Sequence, residues 1–408
     1  MEKRTPIAVD QAVERVIQCR VTGETEYIDI QLANGRILAE DLIADHDVPA
    51  FNRSPYDGYA VRAKDTLGAS VNTVITLNIV GHIGAGSVFD KEIKRMEAVR
   101  IMTGAEIPNG ADAVIMLEDT NTNDDNTVQI SQEMNFHQNI SFQGEDVEKG
   151  SVLVSKGTKI NPGIIALLAT FGYQKVPVSK RPVFGVIATG SELLEIHQPL
   201  EKGKIRNSNA YMIIAQIERA GGKAKYFGQL SDDLDKSIKK IGEILNEVDF
   251  LITTGGVSVG DFDLLPEIYH HFGAEVLFNK VAMRPGSVTT VAQLDGKLLF
   301  GLSGNPSACY VGFELFAKPI IDSYLQKQMI GLKRAHAVLA VDFPKSNPFD
   351  RFIRGHVNNV NHQLEVKPSG KDKSNMVHSL ANVNCFIHLL GGTEGYKKGS
   401  IVDILLLD

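Results

Sequence analysis

A glycine-rich segment at residues 253–263 has the residue types of a site for a phosphate group and a metal ion. It reads T-T-G-G-V-S-V-G-D-F-D and follows an apolar run at 248–252, which predicts a buried strand. Glycine lets the backbone approach an anion closely, and Asp261 and Asp263 could hold a hard cation such as Mg²⁺ beside substrate phosphates. The candidate substrate-binding residues of the segment are Gly255, Gly256 and Ser258. Since open α/β sheets bind ligands at the carboxyl ends of their strands, this loop is predicted to form such a site.

Two further segments repeat this order of an apolar run followed by polar and glycine residues. Residues 182–188 precede T-G-S-E at 189–192, and residues 297–302 precede S-G-N-P at 303–306. Pro306 suits the first turn of a helix, whose free N–H groups would face an anion on the loop. This adds Ser303, Asn305 and Pro306 to the substrate-binding candidates. Glu192 would lie at the end of a neighbouring strand, close enough to share a magnesium ion with the two aspartates.

The elements around these loops predict how they are held. A helical run covers 210–220 and stops at a pair of glycines, and a second helix begins near Asp232 and Asp233, which would cap it. Its apolar residues recur at spacings of four, three and four, at Leu234, Ile238, Ile241 and Leu245. The alternation of strands and helices predicts an α/β domain with a doubly wound, mostly parallel sheet at 176–325.

The rest of the chain has a different character, and we expect several domains. Short strands between Gly-rich and Asn/Asp-rich turns favour a β-rich domain at 46–144. Residues 1–45 and 145–175 together would form an N-terminal linker domain, and residues 326–408 a small, barrel-like C-terminal β domain.

Composition restricts the classes of partner. The chain has 408 residues, with 42 basic against 49 acidic ones and a net charge of −7. That balance argues against bulk binding of nucleic acid, so an anionic ligand must be held by local positive groups. The N-terminus does not resemble a signal peptide, and no apolar run reaches the ~20 residues that span a bilayer. The three cysteines are far apart and show no zinc spacing. A reduced, cytoplasmic protein is expected, with no membrane partner.

Five segments of the chain resemble the signatures of one family. Residues 51–62, F-N-R-S-P-Y-D-G-Y-A-V-R, are similar to the N-S-x-M-D-G-Y-A-V-R signature of the molybdopterin molybdenumtransferases, the bacterial relatives of the gephyrin E domain. The other four are R-I-M-T-G-A at 100–105 with G-A-D-A-V at 110–114, A-T-G-S-E-L at 188–193, the glycine-rich segment, and G-L-S-G-N-P at 301–306. They follow the family's order along nearly the whole chain, and five motifs in order are specific.

This resemblance implies a fold and a reaction. Family members are elongated, four-domain homodimers that use molybdate and Mg²⁺ to cleave adenylylated molybdopterin. They release AMP and leave molybdenum on the pterin dithiolene. The implied partners are a molybdopterin-adenylylating protein and downstream cofactor carriers.

The resemblance also implies roles for individual residues. Asp57 and Thr103 would be catalytic and would reach into the cleft of the partner subunit, to act with Glu192 and Asp263. Molybdate, a dianion, needs cationic and amide donors. The residues implied to bind it are Lys280, Arg284, Arg354 and Ser374.

The chain departs from the family pattern at a few positions. Ser303 stands where proline is usual, which predicts a less stiff loop, and Tyr56 replaces a methionine beside Asp57. Arg284 stands where lysine is frequent; it keeps the charge and adds a fork of donors.

Two alternatives belong to other functional classes. G-V-S-V-G at 256–260 satisfies the G-x-S-x-G pattern of serine hydrolases, although acidic residues rather than a helix follow Ser258. The second alternative is a non-catalytic molybdopterin-binding or scaffold protein, since the gephyrin architecture also serves as a scaffold. The residues do not distinguish molybdenum from tungsten.

Overall fold

The computed structural model describes residues 5–124, 126–256 and 264–407. The chain forms two compact units. The first contains the residues up to Glu40, Lys156–Ile165, and the chain from Gln174 onward; the second contains Asp41–Ser155 and Ala166–Tyr173.

The α-helices in the described ranges alternate with strands through the middle of the chain. They are α1 (Val9–Gln18), α2 (Pro162–Thr170), α3 (Ser208–Ala220), α4 (Leu234–Leu245), α5 (Leu265–His271), α6 (Pro306–Gly312) and α7 (Lys318–Tyr324), with a π-helical turn at Phe313–Ala317 joining the last two. None of the helices in these ranges is both long and apolar enough to cross a lipid bilayer.

The strands, in chain order, are β1 (Thr25–Asp29), β2 (Leu42–Ile43), β3 (Gly58–Val61), β4 (Ile75–Ile83), β5 (Glu97–Ile101), β6 (Ala113–Met116), β7 (Thr120–Asp124), β8 (Thr127–Ile130), β9 (Val152–Val154), β10 (Lys175–Ser179), β11 (Val183–Ala188), β12 (Leu193–Leu194), β13 (Ile205–Arg206), β14 (Lys223–Gln229), β15 (Phe250–Thr254), β16 (Glu275–Phe278), β17 (Met283–Arg284), β18 (Thr290–Leu294), β19 (Lys297–Leu302), β20 (Lys333–Leu339), β21 (Asp350–Val360), β22 (Gln363–Pro368), β23 (Cys385–Leu389) and β24 (Ile401–Leu406).

A six-stranded sheet forms the core of the first unit, with the strand order β14-β11-β15-β19-β18-β16. The first four strands are parallel to one another, whereas β18 pairs in an antiparallel manner with both β19 and β16. Strand β15 is buried along its whole length, as expected for a parallel strand covered on both faces. The predicted doubly wound, mostly parallel sheet is therefore confirmed.

Helices α3 and α4 begin where the sequence predicts, and their caps explain why. The Asn207 side chain accepts a hydrogen bond from the backbone N–H of Ala210 at 3.2 Å and starts α3, which ends at Gly221 with φ +102°. Asp233, rather than Asp232, caps α4, because its carboxylate accepts from the N–H of Lys236 at 3.1 Å. A side-chain oxygen at this position satisfies a backbone donor that the helix itself leaves open.

The C-terminal part of the first unit is a closed barrel of five strands. Each of β21, β22, β20, β24 and β23 pairs with the next, and β23 pairs back onto β21. The short strand β17 joins this barrel by pairing with β21 in parallel, which places the Cα of Arg284 opposite that of Arg351. The barrel is thereby tied directly to the chain between the sheet strands β16 and β18.

The second unit is built on a six-stranded β-sheet with the order β6-β3-β5-β4-β8-β7. Its core is made of small and branched side chains, including Ala60, Val99 and Val114, all fully buried. Gly58 begins β3 next to β6, and a Cβ there would lie 1.9 Å from the carbonyl oxygen of Ile115. Glycine is therefore required directly after Asp57.

Candidate functional site

Three loops of the first unit meet at one edge of the six-stranded sheet. They follow the adjacent parallel strands β11, β15 and β19 and begin at Thr189, Gly255 and Ser303. The backbone N–H of Thr189 donates to the carbonyl oxygen of Thr254 at 3.0 Å, and the N–H of Gly255 donates to that of Leu302 at 2.9 Å. The loops are held together by backbone hydrogen bonds that continue the sheet.

Gly255 and Gly256 pack against Thr189 more closely than any other residue type could. A Cβ on Gly255 would lie 2.7 Å from the Thr189 carbonyl oxygen, and one on Gly256 would lie 2.6 Å from its Oγ1. Both glycines also have left-handed backbone angles, with φ +88° and +67°. The glycines that were assigned to substrate binding thus have a structural requirement too, since they let two loops approach each other.

Glu192 offers a carboxylate at the same sheet edge. It is exposed, and within the described ranges no hydrogen bond or ion pair engages its carboxylate. A Cβ on Gly190 would lie 2.4 Å from Glu192 Oε2, so the glycine makes room for this group. An open carboxylate of this kind suits an oxygen-seeking cation such as Mg²⁺. No group of three potential metal-binding side chains occurs among the described residues, so the assignment of Glu192 to a metal stays a prediction.

The predicted residues Ser258, Asp261 and Asp263 lie outside the residues that the structure describes. Their assignments to substrate, metal and catalysis stay predictions.

The loop after β19 is restrained although it lacks the usual proline. Ser303 is buried, and its Oγ accepts a hydrogen bond from the N–H of Asn305 at 3.2 Å. Asn209, in the first turn of α3, donates from Nδ2 to the carbonyl oxygen of Gly304 at 2.8 Å. Pro306 begins α6, as predicted, and Asn305 lies exposed before it. The Ser303 hydroxyl and the Asn209 amide thus restrain the loop, although it lacks the proline that is usual in the family.

A second loop, residues 370–379 of the C-terminal barrel region, contacts the start of α6. The N–H of Ser307 donates to the carbonyl oxygen of Ser374 at 3.0 Å, and Ser307 Oγ donates to that of Met376 at 3.0 Å. The half-buried Ser374 therefore lies directly beside the loop that carries Ser303 and Pro306. Two regions separated by about seventy positions in the chain are thus joined by hydrogen bonds here.

Arg354 holds this second loop in place from within the barrel. Only 1% of its surface is exposed, and Nη2 donates to the carbonyl oxygens of Lys371 and Lys373, each at 3.1 Å. Nε donates to Ser379 Oγ at 3.3 Å, and Nη1 faces Asp372 Oδ1 at 3.5 Å. Burial lowers the pKa of the guanidinium, and the charge of Asp372 opposes that effect. Most donors of Arg354 are directed at the loop itself.

Lys280 and Arg284 add positive charge to the first unit, and Arg284 lies on the strand that joins the barrel. Lys280 is half-buried and Arg284 is exposed, and neither has an ion-pair partner in the described part of the chain. The pairing of β17 with β21 puts Arg284 next to Arg351. The pairing thus brings Arg284 beside the barrel strand that carries Arg351 and Arg354.

Asp57 and Thr103 form a pair in the second unit. Asp57 Oδ1 accepts from both the backbone N–H and the hydroxyl of Thr103, each at 2.7 Å. These two hydrogen bonds, with a smaller contribution from the charge of Arg100, lower the pKa of Asp57. The exposed carboxylate is oriented by both hydrogen bonds, and its lowered pKa favours the ionised form.

Some residues of this arrangement were not predicted. Asn209 belongs to none of the motifs of the sequence, yet it bridges α3 to the Gly304 loop, and its buried Oδ1 has no partner among the described residues. Asp372 and Arg351 also belong to none of these motifs, yet Asp372 Oδ2 lies 2.7 Å from Arg351 Nη1. The alternation of charges in K-D-K at 371–373 was the one available signal, and it does not reveal that Asp372 faces inward.

The chain matches known families along almost its whole length. Residues 7–172 match the MoeA N-terminal region (domain I and II), residues 185–323 match a probable molybdopterin binding domain, and residues 336–407 match the MoeA C-terminal region (domain IV).

Individual relatives agree with these matches. The chain is 57% identical to a molybdopterin molybdenumtransferase of Bacillus subtilis over 410 residues, covering 100% of this chain and 95% of the relative. It is 50% identical to one of Staphylococcus epidermidis, with 100% and 97% covered. The crystal structure of a molybdopterin biosynthesis moeA protein from Pyrococcus horikoshii superimposes with a TM-score of 0.83 at 30% identity, covering 99% of this chain and 100% of that one. The chain belongs to the molybdopterin molybdenumtransferase family.

Proposed function

We propose that this protein inserts molybdenum into adenylylated molybdopterin in the biosynthesis of the molybdenum cofactor, with Mg²⁺-dependent release of AMP. The observation that carries the proposal is the junction of Ser307 with Ser374 and Met376. It joins the glycine-lined sheet edge, which suits a phosphate-containing substrate, to a barrel loop next to cationic side chains. A phosphoanhydride and an oxyanion could therefore be bound side by side.

The oxyanion end of the site would take molybdate as a substrate. A tetrahedral dianion needs charged donors, and charge-assisted hydrogen bonds are about twice as strong as neutral ones. Lys280 and Arg284 supply charges without internal partners in the described ranges. Arg354 would shape the pocket from beneath through the loop that carries Ser374.

The phosphate end would take the adenylylated pterin. Gly255, Gly256 and the loop from Ser303 to Pro306 offer backbone groups at the carboxyl ends of parallel strands, where such sheets bind ligands. We assign Mg²⁺ to Glu192 together with Asp261 and Asp263, which lie outside the described residues. When bound, the cation would neutralise charge on the anhydride oxygens as the P–O bond breaks and AMP leaves.

We infer that the active form is a homodimer in which Asp57 and Thr103 act in the partner subunit's cleft. The fixed, ionised carboxylate of Asp57 supports a role at a charged substrate. A cytoplasmic location agrees with three free cysteines, of which Cys309 and Cys385 are buried. The protein would receive its substrate from an adenylylating enzyme and pass the product to a cofactor carrier.

The test is to follow AMP after mixing the purified protein with adenylylated molybdopterin and Mg²⁺, with and without molybdate. Molybdate should trigger release, tungstate should replace it, and sulfate, which is smaller, should do so poorly. Arg284→Ala should raise the molybdate concentration required far more than it changes the affinity for the pterin, because the dianion depends on few charged donors.

Other outcomes would point to the alternative functions. Release that does not depend on molybdate would indicate simple hydrolysis of the anhydride. No release under any condition would favour a binding or scaffold role, and labelling of Ser258 by a serine-directed phosphonate would favour a hydrolase.

A further inference from the structure

One carboxylate lies inside the basic cluster next to the proposed oxyanion pocket. Asp372 Oδ2 is 2.7 Å from Arg351 Nη1 and 3.5 Å from Lys345 Nζ, while Oδ1 is 3.5 Å from Arg354 Nη1. Only 11% of the Asp372 side chain is exposed. It lies between two lysines, Lys371 and Lys373, in a chain whose net charge is −7. Positive charge is therefore concentrated here, and among the described residues the ion pairs of Lys345, Arg351 and Arg354 all go to Asp372.

We propose that Asp372 is the internal counter-ion of the oxyanion pocket and sets how tightly that pocket holds an anion. Its carboxylate occupies cationic groups that a bound dianion would otherwise attract, and its own charge repels that dianion. This inference rests on the proposed function, because it concerns the pocket that takes molybdate.

The geometry separates the charge of Asp372 from its role in holding the loop. The loop has anchors that do not involve this carboxylate, since Arg354 donates to the carbonyl oxygens of Lys371 and Lys373 and the N–H of Ser307 donates to that of Ser374. Arg351 also keeps a second partner, because its Nε donates to Asn347 Oδ1 at 2.6 Å. Removing only the charge of Asp372 should leave the loop docked while the cations become available.

The consequence is electrostatic. Two like charges a few ångströms apart near a protein surface repel each other, and a dianion feels twice the repulsion from Asp372 that a singly charged anion would feel. An internal carboxylate would therefore keep the pocket from being filled by abundant anions such as phosphate. Molybdate would then be held firmly only when further contacts from the second substrate add to those of the cations.

The experiment is to titrate the full-length protein with molybdate alone, sulfate alone and phosphate alone by calorimetry. The variant is Asp372→Asn, which preserves the side-chain shape and an acceptor for Arg351. We expect all three anions to bind at least about tenfold more tightly to the variant, with a steeper dependence on salt because more uncompensated positive charge takes part.

A matched control removes one negative charge from the same unit but at the opposite edge of the sheet. Asp295 is exposed in the turn between β18 and β19, so the length of strand β19 separates it from the loop that begins at Ser303. Asp295→Asn changes the net charge equally, and its anion affinities should stay within about twofold of those of the unsubstituted protein, because a six-residue strand spans about 20 Å and exposed charges further than a Debye length are screened.

A counter-ion role and a purely loop-anchoring role of Asp372 predict opposite changes in the anion affinity of Asp372→Asn. If the residue only anchors the loop, Asp372→Asn will bind molybdate more weakly, and unchanged or weaker binding overturns the inference. If neither protein binds any of the three anions, the inference is overturned, and molybdate-dependent release of AMP by the unsubstituted protein then decides separately whether the proposed function stands. Should Asp372→Asn not fold, Asp372→Ser removes the same charge, and tighter binding is required of it too.

Discussion

The contact between Gly255 and Thr189 supports a quantitative prediction about the sheet-edge loops. In a Gly255→Ala protein the new methyl group would lie 2.7 Å from the Thr189 carbonyl oxygen and 2.9 Å from its Oγ1. Both distances are well below van der Waals contact, and the carbonyl belongs to the backbone. The loops after β11 and β15 would therefore have to separate.

Two costs contribute to the expected loss of stability. Placing alanine at φ +88° costs about 1–2 kcal/mol, as for any residue with a Cβ in the left-handed region. Overpacking adds about 1–3 kcal/mol, because a well-packed contact must shift. The total is about 2–5 kcal/mol, since the two costs arise from different interactions.

Gly273→Ala separates these two contributions. Gly273 has φ +67°, but a Cβ there meets no heavy atom within 4 Å. The free energy of unfolding of Gly273→Ala should therefore fall only by the cost of placing alanine in the left-handed region, about 1–2 kcal/mol. Urea unfolding followed by circular dichroism gives the difference between the free energies of unfolding of the two variants, provided that the dependence on urea concentration has the same slope in both.

The loss of activity, like the loss of stability, should be larger in Gly255→Ala than in Gly273→Ala. Gly255→Ala should greatly reduce AMP release, because the substrate-binding loops are displaced, whereas Gly273→Ala should remain active. Equal losses of stability in the two variants, or normal AMP release by Gly255→Ala, would refute the proposed packing of this edge.

Three further predictions concern carboxylates. Asp233→Ala should lower the melting temperature more than Asp232→Ala, because only Asp233 caps α4. The difference between the two melting temperatures should vanish as the pH falls through the lowered native pKa of Asp233, and equal melting temperatures at neutral pH would contradict the prediction. Thr103→Val should raise the pKa of Asp57 in an NMR titration while Thr103→Ser should not, because one of two hydrogen bonds is lost; no shift would mean that the hydroxyl is unimportant. Mixing inactive Asp57→Ala and Asp263→Ala proteins should restore part of the activity if each cleft uses both subunits, and failure despite proven subunit exchange would place both residues in one subunit.

The sequence alone determined the features that depend on neighbouring residues. The strand at Lys297–Leu302 and the helix beginning at Pro306 lie where the apolar run and the proline predict them. Family membership also followed from the sequence, because the motifs keep their order and spacing. Local backbone preference and the burial of periodic apolar residues act over a few positions, so they can be recognised in one stretch of chain.

Only the tertiary structure decided how distant segments combine into a site. Nothing in the K-D-K stretch indicates that Asp372 turns toward Arg351 and Arg354, and the bond from Asn209 to Gly304 joins residues 95 positions apart. These contacts follow from the order of strands in the sheet and the closure of the barrel. Both are set by the packing of the whole first unit, because the free energy of burying its shared core, rather than any local preference, selects which loops meet.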